Sequence, residues 1–493
     1  MGKAKWVAAI GAGFAAAAAS YLAVKKAGER RSAAATGAPV SSSTRSARNL
    51  EVAKVGATAG AGLAVHRARR AFASAERREE LDAEFQLRTA EQVAAALGNM
   101  KGALMKLGQM ASYLDQGLPE PVREALSQLQ ADAPPMSAEL ATETLERELG
   151  RSATDAFAEW DPVPIASASI GQVHRAMTHD GRAVAVKVQY PGIDEAIKAD
   201  LGNAGMLFQA MGMLFPGLEP GPLVEELRAR LIEELDYSLE AHNQQLFADY
   251  YRGHPFIHVP DVVSELSTAR VLTTELAEGS RFDEVVTWSQ DEKDLAGETI
   301  FRFVFRSLYR LTAFNGDPHP GNYLFRPGGQ VTFLDFGLVK HFTAAEVDVF
   351  GRMIDAMVLR RDVAGFRQVI EAVGLLKPGM PFTDEDIEGY YGHFYEFVLN
   401  DAPRTMTPEY ASESVRRIFD ASGPYGEILK AANVPPSFVI IQRINMGLYA
   451  ILGNLRATQN WRRIAEELWP FVDGPPSTPL GEAEAAWASA RQG

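Results

Sequence analysis

Two short motifs carry acidic and amide side chains at a spacing that suits phosphate chemistry. Asp317-Pro-His-Pro-Gly-Asn322 has the form D-x-x-x-x-N, and Asp335-Phe-Gly follows 13 residues after Asn322. Phosphoryl transfer needs charge neutralisation, which Mg²⁺ supplies when a few hard oxygen ligands hold it. Asn322 and Asp335 are predicted as metal ligands on either side of a β-hairpin with arms at 323–325 and 331–334. Asp317 is predicted to orient or deprotonate the attacking hydroxyl or water.

The phosphates also require a cation, and Lys187 ends a V-A-x-K pattern typical of an apolar strand. An ammonium in such a strand needs a partner, unless the lysine lies at an edge and extends into solvent. The acidic stretch 233–243 offers carboxylates, and Glu240 is favoured for the ion pair. Spacing alone leaves Glu233, Glu234 and Asp236 open, because acidic runs often form a solvated face.

The segment that should cover the phosphates is poor in glycine. Residues 165–172 read IASASIGQ, so Gly171 stands where G-x-G-x-x-G would offer three glycines. Serine hydroxyls are expected to replace part of the missing backbone contacts. The predicted nucleotide contacts around this segment and at the end of a later strand are Ala166, Ser167, Ala168, Ser169, Lys187 and Glu275.

The surrounding pattern predicts an α+β protein in which a small sheet-bearing lobe precedes a larger helical lobe. Strands are predicted at 171–177, 182–189, 262–266 and 271–276, and helices at 193–214, 222–251 and through most of the chain to 472. Five units are predicted: a basic head and linker (1–50), a helical extension (51–150), the small lobe (151–279), the helical lobe (280–472) and a loose tail (473–493).

Composition excludes several classes of function. The chain has 493 residues and no cysteine, which rules out disulfides, thiolate metal sites and a cysteine nucleophile. Net charge is −14, and its distribution is uneven. The first 80 residues carry 14 Lys and Arg against 5 Asp and Glu, whereas the other 413 carry 35 against 58. An acidic body argues against binding of nucleic acid, which needs a basic face.

The basic head contains an uncharged run at 6–24 flanked by lysines and arginines. Its length suits a membrane span, although alanine weakens the apolar drive, and an amphipathic or disordered head is the alternative. A secretory signal is disfavoured, because export would separate the body from its ATP. The apolar stretch 438–455 contains Gln442, Arg443 and Asn445, which predicts a core helix. The expected location is therefore cytoplasmic, with membrane association through the head.

These motifs together resemble the UbiB/ADCK family of atypical kinase-like proteins. The matching segments, in order, are Lys106-Leu-Gly-Gln109, Ala166 to Ser169, Val184 to Lys187, Glu234-Leu-Asp236, Glu240, Asp317 to Asn322 and Asp335 to Gly337. The resemblance implies a two-lobed protein-kinase-like fold with an alanine-rich phosphate loop and an N-terminal helical extension over the active site. It also implies that Lys106 and Gln109 face the nucleotide, with the E-x-D carboxylates as partners.

The resemblance further implies ATPase activity, Mg²⁺, membrane lipids and ubiquinone biosynthesis. The first hypothesis is accordingly a membrane-associated Mg·ATPase or small-molecule kinase acting on a lipid or quinone precursor. A nucleotide-binding scaffold with little catalysis is the second. A protein kinase is disfavoured, because no A-P-E triplet follows Asp335. Asn315-Gly316 also replaces the His-Ala pair common in the family, which leaves the metal ligands intact.

Overall fold

The chain forms two lobes, each with its own hydrophobic core. The computed structural model describes residues 136–168, 170–195, 235–316, 318–419, 423–432 and 436–491. The basic head, the candidate membrane span and most of the helical extension lie outside these residues, as do 196–214 and 222–234 of the two predicted helices. The α+β fold with a small sheet lobe and a larger helical lobe is confirmed.

The small lobe is an antiparallel four-stranded sheet with the order β1-β2-β3-β5. Its elements and those joining it to the large lobe are α1 (Ala138–Leu149), α2 (Ala153–Ala156), β1 (Glu159–Ala168), β2 (Gly171–Met177), β3 (Ala183–Gln189), α3 (Tyr237–Tyr250), β4 (Ile257–His258) and β5 (Val271–Glu275). Alternate valines of β3, at 184, 186 and 188, are buried in the small-lobe core. This period of two places Lys187 on the opposite face of the strand.

The large lobe is mainly helical and begins after the connecting residues 276–279, where Ser280 pairs with Phe325. Its strands are β6 (Ala313–Asn315), β7 (Tyr323–Arg326), β8 (Gln330–Phe333), β9 (Val339–His341), β10 (Arg404–Thr405) and β11 (Thr458–Gln459). Its helices are α4 (Phe282–Val285), α5 (Gln290–Arg306), α6 (Ala344–Ile354), α7 (Val363–Ala372), α8 (Asp384–Tyr391), α9 (Glu396–Leu399), α10 (Pro408–Phe419), α11 (Gly426–Ala431), α12 (Pro436–Leu455), α13 (Trp461–Leu468) and α14 (Pro479–Ala490).

Most predicted elements are present, and three differ. The hairpins at 171–189 and 323–334 and the core helix at 438–455 are confirmed. The predicted strand 262–266 is wrong, because 264–266 form a 3₁₀ turn in which Ser267 Oγ donates to the Val263 carbonyl. Residues 338–373 do not pass directly into helix, since β9 intervenes and pairs with β6. Within the described residues, no helix combines the length and apolar character that a membrane crossing requires.

The predicted loose tail is also wrong, because it forms α14 and packs on the large lobe. Thr478 caps α14, and Pro479 occupies its first turn. The wholly buried Arg302 of α5 holds the tail through Glu484 at 2.9 Å, and it also contacts Glu298 and Glu467, each at 2.8 Å. Burial raises the pKa of Glu298 despite the neighbouring arginine. Arg302 therefore pairs with all three buried carboxylates, and Arg306 lies farther away, at 3.6 Å from Glu484.

We expect Arg302→Met to destabilise the protein strongly, because Glu298 and Glu467 lose the cation that they share and Glu484 keeps only the more distant Arg306. Breaking a buried ion pair in this way costs about 3–5 kcal/mol. The free energy of unfolding in a urea titration measures the effect. Arg352→Met is the matched control, since the Arg352–Asp348 pair is exposed to solvent and contributes less than about 1 kcal/mol. Equal stability of the two variants would contradict this account of the tail.

Candidate functional site

The site is built around an ion pair between the small sheet and α3. Lys187 Nζ lies 2.8 Å from both Oε1 and Oε2 of Glu240, so the ammonium donates to both carboxylate oxygens. The two side chains are 19% and 7% exposed, respectively. The structure thus pairs the lysine with Glu240, the carboxylate that the sequence favoured.

Local interactions at the start of α3 explain this choice. Asp236 caps the helix by accepting a hydrogen bond from the Ser238 N–H, and its side chain is exposed. Glu240 lies one turn later on the buried side of the helix. The Tyr237 ring centroid lies 4.8 Å from Lys187 Nζ, in a cation–π arrangement. Glu233 and Glu234 lie outside the described residues.

The surroundings keep Lys187 protonated. Burial lowers the pKa of Lys187, but the charges of Glu240 and then Asp335 raise it more, so the pKa is raised above its ordinary value. The effect of Asp335 shows that the carboxylate of the D-F-G motif belongs to the same electrostatic site. A permanent cation therefore lies beside two carboxylates at the junction of the lobes.

The Asp335-Phe-Gly turn is held in an uncommon backbone conformation. Asp335 has φ +47°, a left-handed conformation that aspartate adopts more readily than bulky residues. The Asn315 amide donates to the Asp335 carbonyl at 2.7 Å, and the Asp335 carboxylate accepts the Gly337 N–H at 3.1 Å. These contacts direct the turn and provide a physical role for Asn315.

Helix α3 also holds the phenylalanine of this turn. Phe336 is fully buried, and its ring centroid lies 4.9 Å from that of Phe247. The Asn243 amide donates to the Phe336 carbonyl at 3.3 Å. One helix thus contacts both Lys187, through Glu240, and the residue next to Asp335.

Asn322 lies at the end of the loop that precedes β7. The Leu334 N–H donates to the Asn322 carbonyl at 2.8 Å, which extends the β7–β8 pairing and brings Asn322 opposite the residue before Asp335. Asp317 lies outside the described residues. Its neighbour Pro318 packs against α12 at Gly447, where a Cβ would lie 2.1 Å from the proline ring. The loop is therefore supported from the large lobe.

The Ala/Ser segment forms the end of the β1–β2 hairpin. Ala166, Ser167 and Ala168 belong to β1, where they pair with Val173, Gln172 and Gly171. Gly171 is needed for close packing, because a Cβ there would lie 2.3 Å from the Val188 carbonyl oxygen. Ser169, Lys106 and Gln109 lie outside the described residues.

Glu275 is placed away from the lysine. It ends β5, and its carboxylate lies 3.3 Å from His258 Nε2 on a half-exposed surface. Its backbone lies directly before residues 276–279, which connect the lobes. Any contact of Glu275 with a nucleotide stays a prediction.

Sequence reasoning missed the supporting residues. Tyr237, Asn243 and Phe247 of α3 and Asn315 of β6 hold the lysine and the D-F-G turn, but none received a role. Asn243 lies in the acidic stretch 233–243 that also contains Glu240. The replacement of His-Ala by Asn315-Gly316 was the available signal for Asn315.

The donor set suits Mg²⁺. Mg²⁺ is typically held by one or two carboxylates together with substrate phosphates and waters, so a site with few protein oxygens is sufficient. Asp335 offers one such carboxylate beside the cationic Lys187, and Asn322 stays a predicted second ligand. Within the described ranges, no cluster of three or more His, Asp or Glu forms a complete metal cage. The site therefore fits a metal that arrives with phosphates.

We expect Glu240→Gln to make Lys187 more reactive. The variant lacks one of the two carboxylates that raise the pKa of Lys187, whereas burial still lowers it. The pKa therefore falls, and the fraction of neutral amine increases. A fall of one pKa unit raises that fraction about tenfold. Acetylation of Lys187 by an N-hydroxysuccinimide ester at pH 8, followed by mass spectrometry, measures the change. Asp348→Asn alters an exposed pair and should leave the acetylation rate of Lys187 unchanged. An unchanged rate in Glu240→Gln would contradict the pairing of Glu240 with Lys187.

Comparison with known proteins identifies the family of this chain. The family model of the ABC1 atypical kinase-like domain matches residues 128–370. Atypical kinase COQ8B, mitochondrial, of Rattus norvegicus is 35% identical over 269 residues, which cover 54% of this chain and 51% of the relative. Atypical kinase COQ8, mitochondrial, of Saccharomyces cerevisiae is 30% identical over 55% of this chain and 54% of the relative. The chain therefore spans about half the length of these curated relatives.

A solved structure matches over a larger share of the chain. It is the complex of Rv3197 with erythromycin from Mycobacterium tuberculosis, with a TM-score of 0.58 and 31% identity. The match covers 80% of this chain and 98% of that one. The chain belongs to the UbiB/ADCK family of ABC1 atypical kinase-like proteins.

Proposed function

We propose that this chain binds Mg·ATP at the junction of its lobes and acts on its phosphates, as an atypical kinase or ATPase. The observation that carries the proposal is the Lys187–Glu240 ion pair. The charge of Asp335 also raises the pKa of this lysine. A buried, permanently charged lysine beside a metal-binding carboxylate suits a polyphosphate better than a neutral ligand. Family membership supports the same choice.

Each side chain then has one task. Lys187 binds the α- and β-phosphates, and Glu240 fixes the direction of its ammonium. Asp335 and Asn322 hold Mg²⁺, which when bound neutralises phosphate charge. Asp317 orients or deprotonates the acceptor, whether hydroxyl or water. Ala166 to Ser169 cover the phosphates, with Lys106 and Gln109 of the extension facing them.

The supporting contacts explain how these tasks stay aligned. Asn315 and Gly337 hold the backbone and carboxylate of Asp335, so that its oxygens keep one direction. Asn243 and Phe247 bind Phe336 to the helix that carries Glu240. Helix α3 contacts both the lysine and the predicted metal-binding turn. Phosphates and metal would therefore be positioned together.

A regulatory scaffold is the second candidate, and the phosphate hairpin favours it. β1 remains paired as far as Ala168 opposite Gly171, so side chains line a segment where glycines would expose more backbone N–H groups. Such a hairpin restricts close approach to the phosphates. ATP would then bind and alter the conformation with little turnover.

We further propose that the physiological role supports ubiquinone or isoprenoid-lipid metabolism at a membrane. The resemblance to the UbiB/ADCK family and the relatives described as COQ8 atypical kinases support this choice. The basic head, with its uncharged run at 6–24, is proposed to contact anionic lipid from the cytoplasmic side. The acceptor is then a lipid, a quinone precursor or water.

Asp335→Asn is expected to abolish Mg²⁺-dependent ATP hydrolysis, because it removes the charged metal ligand but keeps the size of the side chain. Release of radioactive phosphate, with and without anionic liposomes, measures turnover. Asp348→Asn is the control on an exposed helix and should behave as wild type. Unchanged turnover in Asp335→Asn would contradict the site assignment.

Three measurements with ATP distinguish the candidate functions. Turnover that rises with liposomes favours a membrane-associated ATPase or lipid kinase. Thermal stabilisation by ATP without turnover favours the scaffold, since binding to the folded state alone must stabilise it. Transfer of label to protein would instead favour a protein kinase.

A further inference from the structure

The large lobe contains a cavity that shares no residue with the site described above. Its volume is about 130 Å³, and it lies among α5, α6, α8, α10 and α12. Aromatic side chains dominate its wall, including Phe301, Phe305, Tyr391, Phe394 and Phe438. Well-packed interiors contain few voids of this size, so the cavity requires an explanation.

The wall selects for an uncharged, compact molecule. Among the described residues that line the cavity, none is Asp, Glu, Lys, Arg or His, so a charged ligand would lose its hydration without gaining a partner from them. An apolar cavity of on the order of 150 Å³ stays dry and accepts a single benzene ring. The size and the aromatic lining therefore suit one six-membered ring with a small substituent.

One polar group in the wall lacks a partner. The Tyr391 side chain lines the cavity, and the residue is 8% exposed. Among the described residues, its buried hydroxyl has no hydrogen-bond partner. By contrast, the hydroxyl of Tyr449, in the same wall, donates to the Phe394 carbonyl at 3.0 Å. A buried hydroxyl without a partner is costly, so Tyr391 is poised to donate to a ligand.

The helices around the cavity depart from regular geometry in two places. π-helical turns occur at Ser307–Leu311, after α5, and at Asp355–Leu359, after α6. The first contributes Leu308 and Tyr309 to the wall, and the second directly follows Ile354, which also lines it. π-turns are rare and occur frequently at functional sites.

We propose that this cavity is a binding site for a small uncharged ring compound, which accepts a hydrogen bond from Tyr391. Volume and aromatic lining provide the apolar contact, and the tyrosine hydroxyl provides the polar one. The site does not depend on the proposed ATP chemistry. The cavity-lining helix α12 also contacts Pro318 through Gly447, which places the cavity one helix from the D-x-x-x-x-N loop.

The test uses two probes of nearly equal shape with the full-length chain. Acetophenone carries a carbonyl acceptor, and isopropylbenzene does not. Calorimetric titration is expected to show that both bind the wild type. Tyr391→Phe should weaken the binding of acetophenone about 2- to 10-fold, which is the effect of one lost hydrogen bond. The same variant should leave the affinity for isopropylbenzene unchanged. Tyr449→Phe is the matched control and should not change the affinity for acetophenone.

A variant that fills the cavity tests whether the probes bind there. Ile354→Phe adds volume to the wall and is expected to abolish binding of both probes. Failure of both probes to bind the wild type, or equal affinity of Tyr391→Phe and wild type for acetophenone, would overturn the proposal. Retained binding in folded Ile354→Phe would also overturn it. If this variant does not fold, the comparison of Tyr391→Phe with wild type decides, since that change removes only an unpartnered oxygen.

Discussion

A lysine in the middle of an apolar strand imposes the main constraint on this fold. Lys187 lies between the buried valines at 186 and 188, and its ammonium cannot be left there without a carboxylate. Glu240 satisfies it from α3, so that helix must pack across the open face of β3 in one orientation. The site at the lobe junction follows from this requirement.

Helix α3 carries the constraint into the rest of the molecule. Tyr237 belongs to the small-lobe core, whereas Phe247 and Tyr251 belong to the large-lobe core. The same helix contacts Phe336, and Tyr251 stacks on Trp487 of α14. The tail, the D-F-G turn and the ion pair are therefore connected through one element. A change in its position would alter the ion pair and the D-F-G turn together.

The sequence was sufficient for features fixed by local pattern. Alternating valines and turn residues predicted the hairpins, and motif spacing selected Lys187 and Asp335. It favoured Glu240 but could not exclude the neighbouring carboxylates, because that choice depends on where α3 begins and which face it buries. The tail was missed although Thr478-Pro479 is a helix-start signal, since its partner Arg302 is distant in sequence. The cavity has no local signal, because separate helices form it.

Calorimetric titration of Mg·ATP into the wild type and Lys187→Met tests the phosphate site most directly. We expect the wild type to bind and the variant to bind at least about tenfold more weakly, because a charge-assisted contact to phosphate is lost. The methionine keeps the bulk of the side chain and should preserve the sheet. Equal affinities of the two folded proteins would contradict the view that the Lys187–Glu240 pair forms a phosphate site.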